Sequence, residues 1–408
     1  FETPAGKTNA VWTLISEHPQ AVAADTNTSM KTAFPLKFPM GVSGQITEDE
    51  QTQFFSFKAK KGQYYSFQLM SNRIDLPLDC VMEVLDAKGK ANRIFVNGGA
   101  NVEADDGLQM KDVDFHFLAP ADGEYFVTLR DLHDRGGDRF AYHLTAELSG
   151  PDFQVGGEFY YAQIAPGTNM MWFARVKRLN GFNGPIELNI EGLPKGVTFE
   201  PVTLPSGVND CGLILKAAKD APINASLVTI SGKAKVKGPD GKEQEIVRAG
   251  RITCEIQSRG GGQARWPINT SIVGVTKPLD ILEVTATPSE IVLKPGESAE
   301  IKVKVKRSEA YKDPIVLATA FEYFSSKFGQ QLPPGVTLSK KSKTRLAGKT
   351  LEGTLIIEAS KKATPVKRFP FAAMARVGIT FSITTNYASN VIYLTITDED
   401  GKDKLAKK

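Results

Sequence analysis

Apolar and polar residues alternate along most of this chain. Phe55 and Phe57 are separated by Ser56, and Tyr65, Phe67 and Leu69 repeat the pattern. A side-chain period of two belongs to a strand with one face in a core and the other in water. The same period runs through Phe115 and Phe117, through Tyr125, Val127 and Leu129, and through Tyr142 and Leu144. Turns punctuate these runs at Asp86-Ala87-Lys88-Gly89 and Pro120-Ala121-Asp122-Gly123, with glycine where positive φ is needed. The pattern predicts a β-sandwich over residues 35–148. Residues 1–34 read as an N-terminal segment: Val11 to Ile15 as the last strand of a preceding domain, Asp25 to Ser29 as a polar linker.

The back half repeats itself. Val176-Lys177-Arg178 leads to Pro185-Ile186 and then Leu193-Pro194-Lys195-Gly196-Val197-Thr198. Val305-Lys306-Arg307 leads, at the same interval, to Pro314-Ile315 and then Leu332-Pro333-Pro334-Gly335-Val336-Thr337. A period of about 130 residues is a whole domain and not a solenoid turn. Strands are predicted at Met170–Val176, Pro185–Ile190, Val197–Leu204, Cys211–Ala217, Leu227–Val236 and Ile246–Ile256, the last two joined as a hairpin at Pro239-Asp240-Gly241. This places one module at 150–257, a linker containing Arg259-Gly260-Gly261-Gly262 at 258–280, a second module at 281–397 and a charged tail at 398–408. The second module should close on a strand pair, Ile379–Thr384 with Val391–Thr397. It also carries ten extra residues before its Leu-Pro-Pro-Gly, with Phe321, Phe324 and Phe328 at helical spacing and Tyr323 among them. Two readings stand: a short helix plugging one end of the sandwich, or an exposed aromatic patch (Phe321, Tyr323, Phe324, Phe328) for a partner or a sugar ring.

Length fits about three domains. No run of about 18 apolar residues is present, so no transmembrane segment is expected. The chain begins at Phe1 rather than Met, which reads as a piece of something longer. Charge is uneven: residues 35–148 hold 12 Lys and Arg against 18 Asp and Glu, and residues 281–408 hold 21 against 13. Such asymmetry fits solvated faces, self-association or an anionic partner for the second module. Basic and aromatic residues do not interleave, which excludes nucleic acid.

Cys80, Cys211 and Cys254 are too few and scattered for a zinc site. Cys211 and Cys254 should both point into one core, and whether they are bridged stays open. Asp105-Asp106-Gly107, followed by Asp112, offers oxygen ligands for calcium as readily as an ordinary turn. The segment Asp131-Leu132-His133-Asp134-Arg135 reads as a salt-bridged turn between strands. His116 and His143 lie in strand patterns. No nucleophile elbow, His-Glu-x-x-His or phosphate-cradling loop is present, so no enzyme and no required cofactor are expected.

Three separated motifs occur in order: Phe55-Ser56-Phe57-Lys58-Ala59-Lys60-Lys61-Gly62-Gln63, then Leu78-Asp79, then Ala119-Pro120-Ala121-Asp122-Gly123-Glu124-Tyr125 through Arg130 to Gly137. Over about residues 25–148 the chain resembles the bacterial pre-peptidase C-terminal domain, a jelly-roll-like β-sandwich. Followed by two Ig-like modules, it is similar to large secreted or envelope proteins of planctomycete-type bacteria. The resemblance implies an extracytoplasmic accessory module that binds substrate or aids secretion without cutting. Some members hold calcium through an acidic linker and two aspartates. Here only Asp25 and Asn27 match the linker, and the aspartate positions fall on Gln51 and Gln53. Calcium takes six to eight oxygens, so this set is depleted.

The expectation is an all-β chain of three tandem β-sandwich domains. It would serve as a non-catalytic extracytoplasmic spacer, adhesion or assembly module of a larger bacterial protein, at the cell surface, in the periplasm or secreted. The alternative is a targeting module that binds polysaccharide or fibrous protein for a secreted peptidase or other hydrolase.

Overall fold

The computed structural model describes the chain except residues 1, 5, 8–13, 97–111, 159–162, 239–240, 258–262, 269, 278–279, 324–325, 379–383 and 398–408, and gives backbone only at 2–3, 7, 92–96, 158, 252–257, 263–267, 322–323, 326–328 and 384. The fold is all-β; apart from two short 3₁₀ turns, Met30–Thr32 and Asn72–Ile74, the described elements are strands. The chain divides into two compact units, Phe1–Pro151 and, apart from the turn Gly238–Lys242, everything from Asp152 onward.

The first unit is a sandwich of two five-stranded sheets. One sheet runs Asp114–Leu118, Tyr64–Met70, Ala141–Ser149, Met40–Gln45, Gln20–Val22; the other runs Phe34–Pro35, Gln53–Ala59, Gly123–Asp131, Cys80–Asp86, Ala91–Val96. The alternation read from the sequence is the inward register: Phe55, Phe67, Leu69, Phe115, Leu129 and Leu144 are fully buried. Each such side chain contributes about 1.5–3 kcal/mol by leaving water. Aromatic rings dominate this core, with Phe67 stacked on Phe115 at 5.1 Å and Phe57 tilted on Tyr65 at 5.1 Å. The sandwich reaches further upstream than the pattern implied. Gln20–Val22 adds to Met40–Gln45 in parallel, and Phe34–Pro35 to Gln53–Ala59. The Val11–Thr13 part of the predicted upstream strand lies outside the described residues.

The second unit holds the repeat, and the two copies share the order of their main strands in both sheets. Sheet one is Asp152–Glu158, Asn169–Leu179, Asp210–Ala217 and Val197–Phe199 in the first copy. In the second it is Ile281–Thr287, Ser298–Arg307, Glu352–Ala359 and Val336–Leu338. Sheet two of the first copy pairs Gln163–Ile164 in parallel with Ser271–Val275, which pairs Asn224–Lys237, then Ile186–Glu191 and Val202–Leu204. Its counterpart pairs Glu290–Leu293 in parallel with Ile392–Ile396, then Val366–Phe371. The backbone continues to Met374–Gly378, which pairs Ile315–Ala318 and, through it, Arg345–Leu346.

The fixed interval between Val-Lys-Arg and Pro-Ile has a physical cause. The Arg178 guanidinium donates to the Gly184 carbonyl, and Arg307 to the carbonyl of Asp313 at 3.4 Å, each just before the Pro-Ile pair. Arginine presents several donors in a rigid fork, and Arg178 also reaches the Pro205 and Val208 carbonyls at 2.8 and 3.2 Å. The Leu-Pro-x-Gly motif is a tight turn in both copies. Val197 N–H donates to Pro194 and Val336 N–H to Pro333, at 2.9 and 3.0 Å, with Gly196 and Gly335 at φ +81° and +82°.

Three expectations are corrected. The predicted linker at 258–280 contains strands: Gln263–Ile268 pairs Ile252–Gln257, and Ser271–Val275 is the closing strand of the first copy. The glycine-rich run interrupts that module and does not end it. The single strand Val197–Leu204 is two strands in different sheets, switching at Glu200-Pro201, because proline lacks the N–H a continuing ladder needs. Of the predicted terminal pair, residues 379–383 lie outside the described residues; Ile392–Ile396 pairs Val366–Phe371 and Glu290–Leu293. The aromatic insert is a hairpin, Ala320–Tyr323 with Ser326–Gln330, and not a helix.

A methyl group at Gly335 would sit 2.6 Å from the Ala363 Cα, whereas one at Gly348 (φ +59°) meets nothing within 4 Å. Gly335→Ala should therefore destabilise by at least about 2 kcal/mol, clearly more than Gly348→Ala, since both carry the left-handed penalty and only one a backbone clash. Urea unfolding of the two variants checks this; equal losses would contradict the packing role given to the motif.

Candidate functional site

The sequence-predicted calcium residues do not assemble. Asp105 and Asp106 lie outside the described residues. Asp112 is buried and its carboxylate is fully used. One oxygen accepts from the Ser71 and Asn72 N–H groups at 2.9 and 2.6 Å, the other from the Arg73 N–H and Nε at 3.0 and 2.9 Å. Four acceptor positions are what an ionised carboxylate has, so Asp112 anchors the 3₁₀ turn instead of offering itself to a cation.

Gln51 lies beside Asp25, and Asn27 lies beside Phe54. Gln51 Nε2 donates to the Asp25 carbonyl at 3.0 Å, and its Oε1 accepts from the Thr47 N–H at 2.6 Å. Gln53 Nε2 donates to the Gln45 carbonyl at 2.7 Å, and its Oε1 accepts from the Tyr142 hydroxyl. Asn27 Nδ2 donates to the Phe54 carbonyl at 3.1 Å, while its buried Oδ1 has no partner among the described residues. An amide N–H aimed at one oxygen and a single spare carbonyl do not make a calcium shell. Among the described residues no group of three or more His, Cys, Asp or Glu is placed to hold a metal.

The Asp131 segment is a salt-bridged turn. Arg135 clamps the buried Asp131 carboxylate with Nε and a terminal nitrogen at 2.9 and 3.1 Å. The Asp79 and His133 N–H groups add bonds of 2.9 Å each. Burial alone would raise the Asp131 carboxyl, but Arg135 and these N–H groups outweigh it and hold it below its ordinary value. His133 lies 3.8 Å from Asp79 with its ring mostly exposed. His143 shares a 3.1 Å hydrogen bond with Ser43, and burial pushes its imidazole down. Cys211 is a free, buried thiol whose ionisation burial opposes; the Cys254 side chain lies outside the described ones.

Within the second unit, Phe321 is the one aromatic residue of the insert whose side chain is described. Phe321 is buried and stacks on Phe173 of the first copy, with ring centroids 6.4 Å apart. It is thus not part of an exposed patch; Phe324 and the side chains of Tyr323 and Phe328 lie outside the described ones. Met171, Phe173 and Ile214 of the first copy and Phe321, Ala372, Met374, Ala388 and Val391 of the second form a third core between the copies. Asn169 pairs with Ala388 in the ladder, so sheet one of the first copy continues into the second copy. Gln331 is wholly buried there, donating to the Ala372 carbonyl at 2.6 Å and accepting from the Ala372 N–H at 2.8 Å. At the rim Glu200 accepts from the Tyr393 hydroxyl, and Arg368 lies 4.1 Å over the Tyr393 ring. These joint residues were missed from the sequence, although Met170-Met171-Trp172-Phe173-Ala174 is an unbroken apolar run, the signature of a strand buried on both faces.

The second copy also opens a cleft of about 510 Å³, walled by the strands Ile315–Ala318 and Val336–Leu338, the base of the hairpin at Ala320 and Gln330, and the crossover from Ser339 to Thr344.

No family model matches the chain, and no curated protein is similar to it. Among solved structures it is similar to the sialic acid binding region of the Streptococcus sanguinis SK1 adhesin bound to 3'sLn, at 9% identity over 62% of this chain and 78% of that one, with a TM-score of 0.18. It is similar also to domains 5–6 of the S-layer protein SbsC, at 12% identity over 61% of this chain and 100% of that one, with a TM-score of 0.21. At these values nothing of either protein's ligand or assembly carries over.

Asp131→Asn should destabilise the first unit by about 3 kcal/mol near neutral pH, the low end for a broken buried pair because the half-exposed Arg135 is screened. The native carboxyl is held low, so its contribution is full above the unfolded value near about 4 and is lost as pH falls through the lower folded value. The stability gap between wild type and variant, read by urea titration, should close below about pH 4; a gap independent of pH would contradict the assignment.

Proposed function

We propose that this chain is a non-catalytic, extracytoplasmic structural region of a larger bacterial protein, in which the two repeat copies act as one stiff spacer. The fused joint carries this reading. Adjacent domains move relative to one another by default unless the interface is large and hydrophobic. Here the copies share a continuous sheet, a third apolar core and the buried amide of Gln331. A hinge between spacer or adhesion modules would absorb load and orientation; this joint transmits both. The resemblance of residues 25–148 to the pre-peptidase C-terminal domain supports an exported setting and an accessory role. Asp112 and Asp131 are spent on turns and His143 on its cross-strand partner Ser43, which supports a structural use of these three. Targeting of polysaccharide is the second reading, and the cleft of the second copy favours it.

The joint predicts coupled unfolding. In hydrogen exchange of the whole chain at rising urea, Asp210–Ala217 and Glu352–Ala359 should lose protection together. Phe173→Ala with Phe321→Ala, each removing a buried ring worth about 3–5 kcal/mol, should separate the two events. Separate loss already in the wild type would remove the stiff-spacer reading.

A further inference from the structure

The joint between the copies has a direction. The first copy contributes the outer face of its sheet one, through Met171, Phe173 and Ile214. The second contributes the outer face of its sheet two. From Val366–Phe371 onward, Phe369, Phe371 and Ala373 enter the sandwich core, while Ala372 and Met374 enter the core between the copies. Buried Pro370 shares the side of Ala372, since side chains alternate along a strand. Tyr393, its ladder partner, packs against that second core.

Each face of the joint has an equivalent on the other copy, and the ladders fix which residues correspond. In sheet two, Ile164 pairs Val275 as Leu293 pairs Ile396, and Ile164 and Leu293 each stand two residues before a Pro-Gly. Ile272 therefore takes the place of Tyr393, and Leu227 faces Ile272 as Pro370 faces Tyr393. In sheet one, Met171 and Phe173 stand six and four residues before the lysine of Val-Lys-Arg, as Glu300 and Lys302 do in the second copy. Met171 faces Ile214 as Glu300 faces Ile356.

The two equivalents are opposite in character. On the second copy Glu300 and Lys302 are charged and exposed, so this part of the face is built for water. On the first copy Leu227 and Ile272, an apolar pair directly opposed across the ladder, are 65% and 53% exposed, and Ile223 just before the strand is 62% exposed. Further along Asn224–Lys237 the same face is salt-bridged, Lys233 to Glu187 and Glu245 at 3.4 and 3.7 Å and Lys235 to Glu243 at 3.4 Å. Single exposed apolar residues are ordinary on a protein surface. A cross-strand pair, at the position that forms an interface in the sister copy, marks a contact site.

We infer that the outer face of sheet two in the first copy, centred on Leu227 and Ile272, docks the apolar sheet-one face of a further module of this repeat type, and that the stack ends at the second copy. The contact is heterologous, a sheet-one face meeting a sheet-two face as inside the joint. Leu-Pro-x-Gly-Val-Thr occurs twice in the sequence, so the docking module lies outside these 408 residues. This docking goes beyond the stiff-spacer reading. It uses where the joint sits and not its rigidity. Leu227 and Ile272 lie outside the joint, so replacing them leaves the coupled unfolding of the copies unchanged.

Sedimentation velocity of whole chains tests it. Glu300→Met with Lys302→Phe installs the joint face on the second copy, and Leu227→Lys in the same chain removes that chain's own docking face. Mixed with the wild-type chain, this donor should form a 1:1 complex, while the wild-type chain alone stays monomeric. Ile272→Lys in the wild-type partner should weaken the complex about tenfold or more, because a charge would be buried against apolar side chains. Val292→Lys, at a 67% exposed apolar position of the second copy, should not. Glu300 and Lys302 are exposed, so the donor keeps its core; Lys302→Phe with Leu227→Lys is a second donor should the fuller exchange disturb folding. The proposal is overturned if neither donor binds the wild-type chain, if Ile272→Lys and Val292→Lys weaken binding alike, or if the donor pairs with itself as strongly as with the wild type. Self-association of the wild-type chain that Leu227→Lys abolishes would also overturn it, making a second copy of this chain the occupant.

Discussion

The second unit depends on one strand being buried on both faces. Along Asn169–Leu179, Met170, Trp172, Ala174 and Val176 enter the sandwich core of the first copy. Met171 and Phe173, pointing the other way, enter the core between the copies. A strand that exposes neither face cannot present a polar side to water, so its outer face must be covered. The second copy does the covering, with its hairpin insert, with the run from Ala372 to Met374 and with Ala388. Close backbone approach makes this fit: a methyl group at Gly329 would lie 2.5 Å from the Phe173 ring, and one at Gly212 would lie 2.4 Å from the Met171 sulfur.

The repeat then takes on two roles. Its shared part is scaffold: an arginine that ties a downstream carbonyl, and a Leu-Pro-x-Gly turn that brings the next strand into the same register in both copies. Val197 faces Ala217 as Val336 faces Ala359. Its unshared part carries what is particular to each copy. The insert adds Phe321 to the joint, and the base of its hairpin at Ala320 and Gln330 borders the cleft.

Much of this was legible in the residues. Period-two alternation gave the strands, and the repeated motifs gave two modules of one topology. The boundary of the first module was not legible. Its closing strand Ser271–Val275 follows a glycine-rich run, and what fixes it is pairing with the distant Asn224–Lys237 and Gln163–Ile164. Phe321, Phe324 and Phe328 fall at helical spacing, yet the segment is a hairpin, because tertiary packing against Phe173 outweighs a three-point periodicity. Asp112 looked like a cation ligand because composition cannot tell a carboxylate that faces a cation from one that faces four backbone and side-chain donors. Gln51 and Gln53 were the readable sign, since each places an amide where the resemblance would put a carboxylate.

The central claim is that the two copies form one rigid body. Spin labels on the exposed positions Lys219→Cys and Lys361→Cys, one in each copy, in a Cys254→Ser background, report it directly. Cys80 and Cys211 are buried and should stay unlabelled in the native chain. Double electron–electron resonance should return a single narrow distance distribution that broadens on adding Phe173→Ala and Phe321→Ala. A broad or multimodal distribution in the otherwise unaltered chain would contradict the account.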